Sequence, residues 1–189
     1  MKKFALNAEP RKELGKKSTK ALRKQDLIPC VLNGGKIVEL PYKEALRPGE
    51  KLVEIANNRG LITTDMVVKS EDVRKLIYTP DIFEIDLTLN GEERKAVLKD
   101  IQFQPVKDTI LHLDFLEVFP GKPIEMEVPV QIEGHAEGVK AGGKLSLSMR
   151  KLRVKAEYTA IPEKLVINVD NLGLGQSLSV GDLHFEGLE

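Results

Sequence analysis

Basic side chains are concentrated near the amino end of a chain that has no net charge. The 189 residues include 29 Lys and Arg against 29 Asp and Glu. Residues 2–24 hold nine of the basic residues and only two acidic ones, a local charge of +7, so the other residues carry −7. Clustered Lys and Arg bind phosphates because binding releases condensed counterions. This asymmetry predicts a polyanionic partner.

Six of these basic residues are candidates for binding nucleic acid: Arg11, Lys16, Lys17, Lys20, Arg23 and Lys24. Gly15 interrupts the series and would let the backbone approach a ligand closely. Ser18 or Thr19 is expected to cap a short helix that runs to about Gln25, with Leu22 facing inward. Charge runs are also common on solvated surfaces, so composition alone favours neither interpretation. Because only 5% of the residues are aromatic, duplex RNA or DNA is favoured over stacked single strands.

Polar side chains form a second candidate site between residues 100 and 118. Gln102 and Gln104 are expected on one face of a strand, and His112 and Asp114 on one face of the next. Four such hydrogen-bonding groups could contact the base edges and 2′-hydroxyls of a wide RNA minor groove. The alternative is a solvated sheet face on which His112 pairs with Asp114.

Enzyme and metal-site signatures are mostly missing from the sequence. The three histidines, His112, His135 and His184, have no metal-binding spacing, and residues 33–36 lack the frame of a phosphate-binding loop. The single cysteine, Cys30, excludes an intramolecular disulfide and is expected to be a core thiol in its apolar setting. No catalytic residue, cofactor or metal is therefore expected. A small-molecule enzyme with a site between two domains is the third interpretation.

Most of the elements that must position these residues are predicted to be strands. A helix is predicted from Ser70 to before Thr79-Pro80, because proline restricts the residue that precedes it. Asn90-Gly91 is the strongest hairpin signal, and Asn33-Gly34-Gly35 predicts a second turn. Residues 41–60 are expected to be a loop and an insertion. In the first part of the chain, strands are expected at residues 2–7, 28–32, 36–40, 61–69, 82–89, 94–103 and 110–119.

A domain boundary is predicted at residues 119–123, where Pro and Gly cluster. It divides the chain into domains 1–119 and 120–189. Helical signals end there, and short strands follow at residues 124–132, 145–147, 152–158, 165–169 and 178–180. This pattern predicts a small antiparallel β domain.

No apolar run approaches 18 residues, and the amino end lacks the apolar core of a signal peptide. A cytoplasmic protein without a membrane span is therefore expected.

Four segments resemble a known family. Residues 7–35 (NAEPRKELGKKSTKALRKQDLIPCVLNGG) and 99–115 (KDIQFQPVKDTILHLDF) resemble the 5S-rRNA-binding protein of the bacterial 50S subunit, the family of large-subunit ribosomal protein twenty-five. Residues 134–145 (GHAEGVKAGGKL) and 161–183 (IPEKLVINVDNLGLGQSLSVGDL) resemble the C-terminal β domain of its longer, general stress protein CTC type. The resemblance implies a mainly β fold with a few α-helices. An N-terminal β-barrel-like domain would dock on loop E of 5S rRNA, and a C-terminal antiparallel β domain would follow.

The family's RNA contacts carry over residue by residue, and three positions depart from the usual pattern. Lys17 stands where a second glycine is usual, Ala21 where arginine is common, and Asn33 where tyrosine is common in the turn. Asn33 can form hydrogen bonds but cannot stack on a base, whereas Lys17 supplies the charge that Ala21 lacks. The matching contacts are Arg11, Lys16, Lys20, Arg23, Gln102, Gln104, His112 and Asp114.

The sequence therefore predicts a non-enzymatic structural protein of the 50S subunit. Its basic N-terminal cluster and polar sheet face would bind 5S rRNA, and neighbouring ribosomal proteins are possible further partners. The main alternative is a general RNA- or DNA-binding stress protein outside the ribosome.

Overall fold

Strands dominate the computed structural model, which describes residues 2–11, 13–34, 37–39, 46–55, 59–185 and 187–188. Within these ranges the chain forms eleven strands, three α-helices and one 3₁₀ turn, so the mainly β prediction is confirmed. The chain separates into two compact units, Lys2–Phe119 and Pro120–Glu189. Each unit has its own sheet.

The first unit contains eight strands and two helices in its described part. In chain order they are β1 (Lys2–Pro10), α1 (Lys16–Lys24), β2 (Leu27–Asn33), β3 (Ile37–Glu39), β4 (Glu50–Ile55), β5 (Arg59–Lys69), α2 (Ser70–Ile77), β6 (Phe83–Leu89), β7 (Glu92–Phe103) and β8 (Ile110–Glu117).

Six of these strands close into a barrel. Hydrogen-bonded neighbours follow the order β1–β6–β7–β8–β2–β5, and β5 returns to β1 through the pair Glu9 and Val67. The β1–β6 and β2–β8 pairings are parallel, and the other four are antiparallel. Closure leaves the barrel without a free edge. The β-barrel that the family resemblance implied is confirmed.

Alternating apolar residues fill the interior of the barrel. In β6, Ile85, Leu87 and Leu89 are buried, whereas the residues between them are half-buried. This period of two places one side of each strand in the core. Helix α2 adds Val73 and Leu76 to the same cluster.

The predicted hairpin and the second helix are confirmed. Asn90 and Gly91 have φ values of 54° and 82°, the left-handed backbone that a two-residue hairpin turn requires. They join β6 to β7, which pair antiparallel through Leu89 and Glu92. Helix α2 ends at Ile77, before Thr79-Pro80.

The prediction of a loop over residues 41–60 was wrong for much of the part that the structure describes. Residues 50–55 form β4, which pairs with the first half of β5, and β3 lies on the other side of β5. The Pro48-Gly49 and Asn57-Asn58 breaks obscured the short strand between them, in which charged and apolar residues are mixed. Residues 41–45 and 56–58 lie outside the described residues, as do Gly35 of the predicted turn and Lys36 and Leu40 of the predicted strand 36–40. Whether the segment is an insertion stays a prediction.

The second unit contains a three-stranded sheet around β9. Its elements are β9 (Pro123–Glu133), α3 (Glu137–Lys140), β10 (Lys151–Glu157), β11 (Leu165–Asn168) and a 3₁₀ turn (Val180–Asp182). The expected antiparallel arrangement holds for β9 and β10, whereas β11 pairs parallel to β9.

Three local predictions for this unit were wrong. Residues 145–147 and 178–180 form no strand, because a short apolar stretch does not specify a hydrogen-bonded partner; Leu145, Leu147, Leu178 and Val180 are exposed. Helix α3 appears where no helix was expected, since a single turn is too short to show a 3.6-residue period.

Candidate nucleic-acid interface

Helix α1 presents a face of lysines to solvent. Ser18, Thr19 and Leu22 are half-buried, whereas the other residues of the helix are exposed. The lysine face consists of Lys16, Lys17, Lys20 and Lys24. Among the residues that the structure describes, no carboxylate forms an ion pair with these four ammonium groups. They are therefore available to an external anion.

The amino end of α1 differs from the prediction. The helix begins at Lys16 after Gly15, whose φ is 109°, and no side chain caps it. Ser18 Oγ instead donates to the Glu13 carbonyl at 3.2 Å, and Thr19 Oγ1 donates to the Gly15 carbonyl at 2.7 Å. The two hydroxyls therefore stabilise the first turn from inside the helix rather than from its cap.

Arg23 attaches α1 to the barrel. Its Nε and Nη2 atoms both donate to the Leu111 carbonyl of β8, at 3.1 and 2.8 Å. Because β8 also carries His112 and Asp114, this fork brings the lysine-bearing helix to the strand that holds the second predicted site. Two N–H donors of Arg23 are thereby used inside the protein.

Arg11 organises the segment between β1 and α1. Its Nε donates to the Glu13 carbonyl at 2.8 Å, and its Nη2 donates to Thr19 Oγ1 at 2.8 Å and to the Gly15 carbonyl at 3.4 Å. Arg11 also donates its backbone N–H to the Asp65 carbonyl at 2.9 Å. Three of the five guanidinium donors therefore serve the protein's own structure.

The structure brings together three of the four predicted strand residues in a polar strip of Gln102, His112 and Asp114. Gln102 of β7 lies directly opposite His112 of β8 in the register of the sheet. His112 Nδ1 lies 3.2 Å from Asp114 Oδ1, and the side chains are 24% and 27% exposed. If Nδ1 donates to Asp114, Nε2 is left as a hydrogen-bond acceptor toward solvent.

Gln104 does not belong to this strip. It lies beyond the last residue of β7, where its N–H donates to the Thr109 carbonyl at 2.8 Å. Its Oε1 accepts from Thr109 Oγ1 at 2.9 Å. Strand β7 ends at Phe103, so Gln104 does not lie on the strand where the prediction placed it. The register shift between Gln102 and Phe103 inserts its extra residue, Leu111, on β8.

Asn33 lies apart from the strip, at the end of β2. It is half-buried and pairs with Leu116 of β8. Asp114 pairs with Val31 of the same strand, so Asn33 is two residues further along the sheet.

Sequence reasoning missed several residues of this surface. Asp100 lies directly opposite Asp114, so two carboxylates face each other across β7 and β8. Its position two residues before Gln102 was an available signal. No sequence signal indicated the hydrogen bonds of Arg11 and Arg23. Arg11 donates to the side chain of Thr19, and Arg23 donates to a backbone carbonyl 88 residues away.

A small closed barrel that holds a lysine-rich helix beside a polar strand has the form of a nucleic-acid-binding protein. Residues 6–47 and 42–115 match the family model of the Ribosomal L25p family, and residues 123–189 match that of the ribosomal protein TL5 C-terminal domain. The chain belongs to the Ribosomal L25p family. Since this is a family of ribosomal proteins, it excludes the third interpretation of the sequence, a small-molecule enzyme.

Three relatives that are similar over the whole chain carry the same name. The large ribosomal subunit protein bL25 of Porphyromonas gingivalis is 52% identical over 189 residues, which cover all of this chain and 86% of the relative. The protein of the same name from Parabacteroides distasonis is 51% identical over 194 residues, which cover 87% of the relative. That of Phocaeicola vulgatus is 47% identical over 189 residues and 86% of its length.

The described residues contain no cluster of three or more His, Cys, Asp or Glu side chains that could hold a metal ion. None of their helices has the length and apolar character needed to cross a membrane.

Proposed function

We propose that this protein is a structural component of the large ribosomal subunit and binds 5S rRNA in the cytoplasm. The lysine face of α1 would contact phosphates, and the polar strip would contact the minor groove. Phosphate contacts give affinity without sequence information, whereas groove contacts give specificity. The two surfaces therefore have different tasks.

The fork from Arg23 to Leu111 is the observation that carries the proposal. It attaches a helix whose four lysines have no carboxylate partner among the described residues to the strand that presents His112 and Asp114. An RNA duplex that contacts the lysines is then brought beside groups that can exchange hydrogen bonds with 2′-hydroxyls and base edges. Neither surface alone offers both attraction and discrimination.

Competitive titration tests the proposal. The full chain is titrated with 5S rRNA and with a random RNA duplex of equal length, at several salt concentrations. Tighter binding to 5S rRNA at every salt concentration, with log-affinity falling linearly in log-salt, is the expected result. Equal affinity for the two RNAs would instead support the general RNA- or DNA-binding protein, and no affinity for either would refute both.

A further inference from the structure

The second unit contains an apolar groove of about 480 Å³ beside its sheet. Leu152 of β10 and Val169, which follows β11, line the groove and are buried. Six further lining side chains are apolar but 37% to 62% exposed: Leu145, Leu147, Met149, Leu174, Leu178 and Val180. Exposed apolar side chains that adjoin one another on a protein surface indicate a site that another molecule covers.

Residues 144–149 lie along this groove with an unpaired backbone. Their N–H and C=O groups form no hydrogen bond with any described residue. Their apolar members, Leu145, Leu147 and Met149, alternate with polar residues, which is the period of a strand. The segment therefore has the side-chain pattern and the free backbone groups of an edge strand, but no described strand pairs with it.

The charge along this segment is positive. Lys144 and Arg150, at its two ends, are exposed, and neither forms an ion pair with a described residue. No described acidic side chain lines the groove. The carboxylates of Asp170 and Asp182, which neighbour lining residues in the sequence, accept backbone N–H groups instead. Electrostatic complementarity therefore favours a ligand that carries carboxylates.

We propose that this groove binds an extended peptide segment of another protein, which adds to the second unit as a strand beside residues 144–149. The main chain of the peptide pairs with the free N–H and C=O groups, and its alternate apolar side chains fill the groove. Its carboxylates contact Lys144 and Arg150. This peptide site lies wholly in the second unit and is independent of RNA binding.

The same charges disfavour a second copy of this chain as the occupant. If residues 144–149 of two copies paired antiparallel in the symmetric register, Lys144 of each copy would lie beside Arg150 of the other. Like charges that face each other across paired strands are destabilising. A peptide with carboxylates near both ends meets the two cations without this repulsion.

Titration of the full chain with short fluorescent peptides tests the site. In these peptides Val, Leu or Ile alternates with Thr, and Asp stands at both ends. Fluorescence anisotropy should show binding of the Asp peptides, and roughly 10-fold weaker binding of the same peptides with Lys at both ends. A central proline should also weaken binding, because it removes a ladder donor.

Two variants of matched exposure separate the groove from the rest of the sheet. Leu147→Ser removes a lining side chain that is 40% exposed, and should weaken binding of the Asp peptides by roughly 10-fold. The control is Val166→Ser, on β11 and 47% exposed, which does not line the groove and should leave the affinity unchanged.

Amide hydrogen exchange distinguishes strand addition from a loose apolar contact. In the free chain the amides of residues 145–149 should exchange rapidly, and bound peptide should slow every second one. Exchange that the peptide leaves unchanged would overturn strand addition. The site itself would be refuted if no Asp peptide bound, if Lys peptides bound as tightly, or if the two variants bound equally. Amides already protected in a free chain that sediments as a dimer would make a second copy the occupant.

Discussion

Asp114 is a carboxylate on a surface that is proposed to meet a polyanion. Asp100 of β7 lies directly opposite it. On the other side Asp114 pairs with Val31 of β2, and Val31 pairs in turn with Asp65 of β5. Asp65 is buried and forms an ion pair with Lys51 at 2.6 Å, whereas Asp100 and Asp114 repel phosphate. The presence of these two carboxylates at an RNA interface therefore requires a reason other than attraction. For Asp114 the reason is its contact with His112, because the carboxylate can orient the imidazole.

Replacing Asp114 by Asn should therefore weaken binding to 5S rRNA. The variant removes a charged acceptor from His112 or from a donor in the RNA groove, and an unpaired buried donor costs about 1–3 kcal/mol. The expected loss is roughly 5- to 150-fold for 5S rRNA and little for a random duplex, measured by gel-shift titration.

Asp100→Asn is the matched control for this change. Asp100 is exposed, and its Oδ1 accepts the adjacent Ile101 N–H at 2.8 Å. Asp100→Asn removes the same charge as Asp114→Asn but no hydrogen-bond partner of His112. Binding to 5S rRNA should therefore be unchanged or slightly tighter. If Asp114→Asn behaves like this control, the strip is a solvated sheet face.

Cys30 provides a test of the barrel core. Burial raises the pKa of its thiol, and the negative charge of Asp114 raises it further. The folded state therefore keeps the proton to higher pH than the unfolded state, so this contribution to stability is complete below about pH 8.5 and declines above it. At pH 8.5, iodoacetamide should modify the native protein far more slowly than the denatured protein, as measured by mass spectrometry. Equal rates would place the thiol in solvent.

At the scale of elements, local signals identified strands and turns well. Asn90-Gly91 predicted the β6–β7 hairpin, and Ser70 with Thr79-Pro80 delimited α2. These features depend on backbone conformation within a few residues. Helix α1 was located correctly but begins two residues before its expected cap at Ser18.

The β6–β7 turn can be tested at Gly91. No heavy atom lies within 4 Å of a Cβ built there, so the cost of a side chain is conformational alone. Because φ is 82°, Gly91→Ala should lower the free energy of unfolding by about 1 kcal/mol. Gly91→Asn should lower it less, since asparagine tolerates left-handed backbone. Denaturant unfolding measures both, and equal stability of Gly91→Ala and wild type would contradict the turn geometry.

The remaining part of the site could not be predicted because it depends on partners distant in sequence. Nothing local to β2 indicates that it pairs parallel to β8, and nothing local to Arg23 indicates the Leu111 carbonyl. Gln104 shows the same limit, since strand alternation predicted its face, whereas the pairing of β7 with β8 ends at Phe103 and Ile110. Residue types therefore indicated the chemistry of the surface, whereas the barrel closure determined which residues meet.

At the scale of the whole molecule, the two units differ in charge and in sheet architecture. The basic cluster and the polar strip both lie in the unit Lys2–Phe119, whereas residues 120–189 contain eight Lys and Arg against ten Asp and Glu. Outward side chains on β9 and β10 are paired by opposite charge, as Lys151 and Glu127 show at 3.9 Å. The second unit therefore has no basic pole of its own.

Residues 1–119 alone should bind 5S rRNA nearly as well as the full chain, and residues 120–189 alone should not bind it. The reason is that every proposed contact lies in the first unit. Gel-shift titration of the two fragments, each first shown to be folded by circular dichroism, measures the difference. Comparable binding by the C-terminal fragment would contradict this division.

The order in which the barrel strands are joined has a consequence for synthesis. β1 pairs with β6, and the acceptor of Arg23 is the Leu111 carbonyl, which lies 88 residues further along the chain. Arg23 cannot form this hydrogen bond until Leu111 has been synthesised. Such long-range pairings are slow to form, because the entropic cost of closing the loop comes before the contacts that offset it. During translation, the lysine-bearing segment therefore leaves the ribosome long before the strand that will hold it. A nascent chain that ends before Ile110 should expose this segment to protease, and one that extends well past Phe119 should protect it.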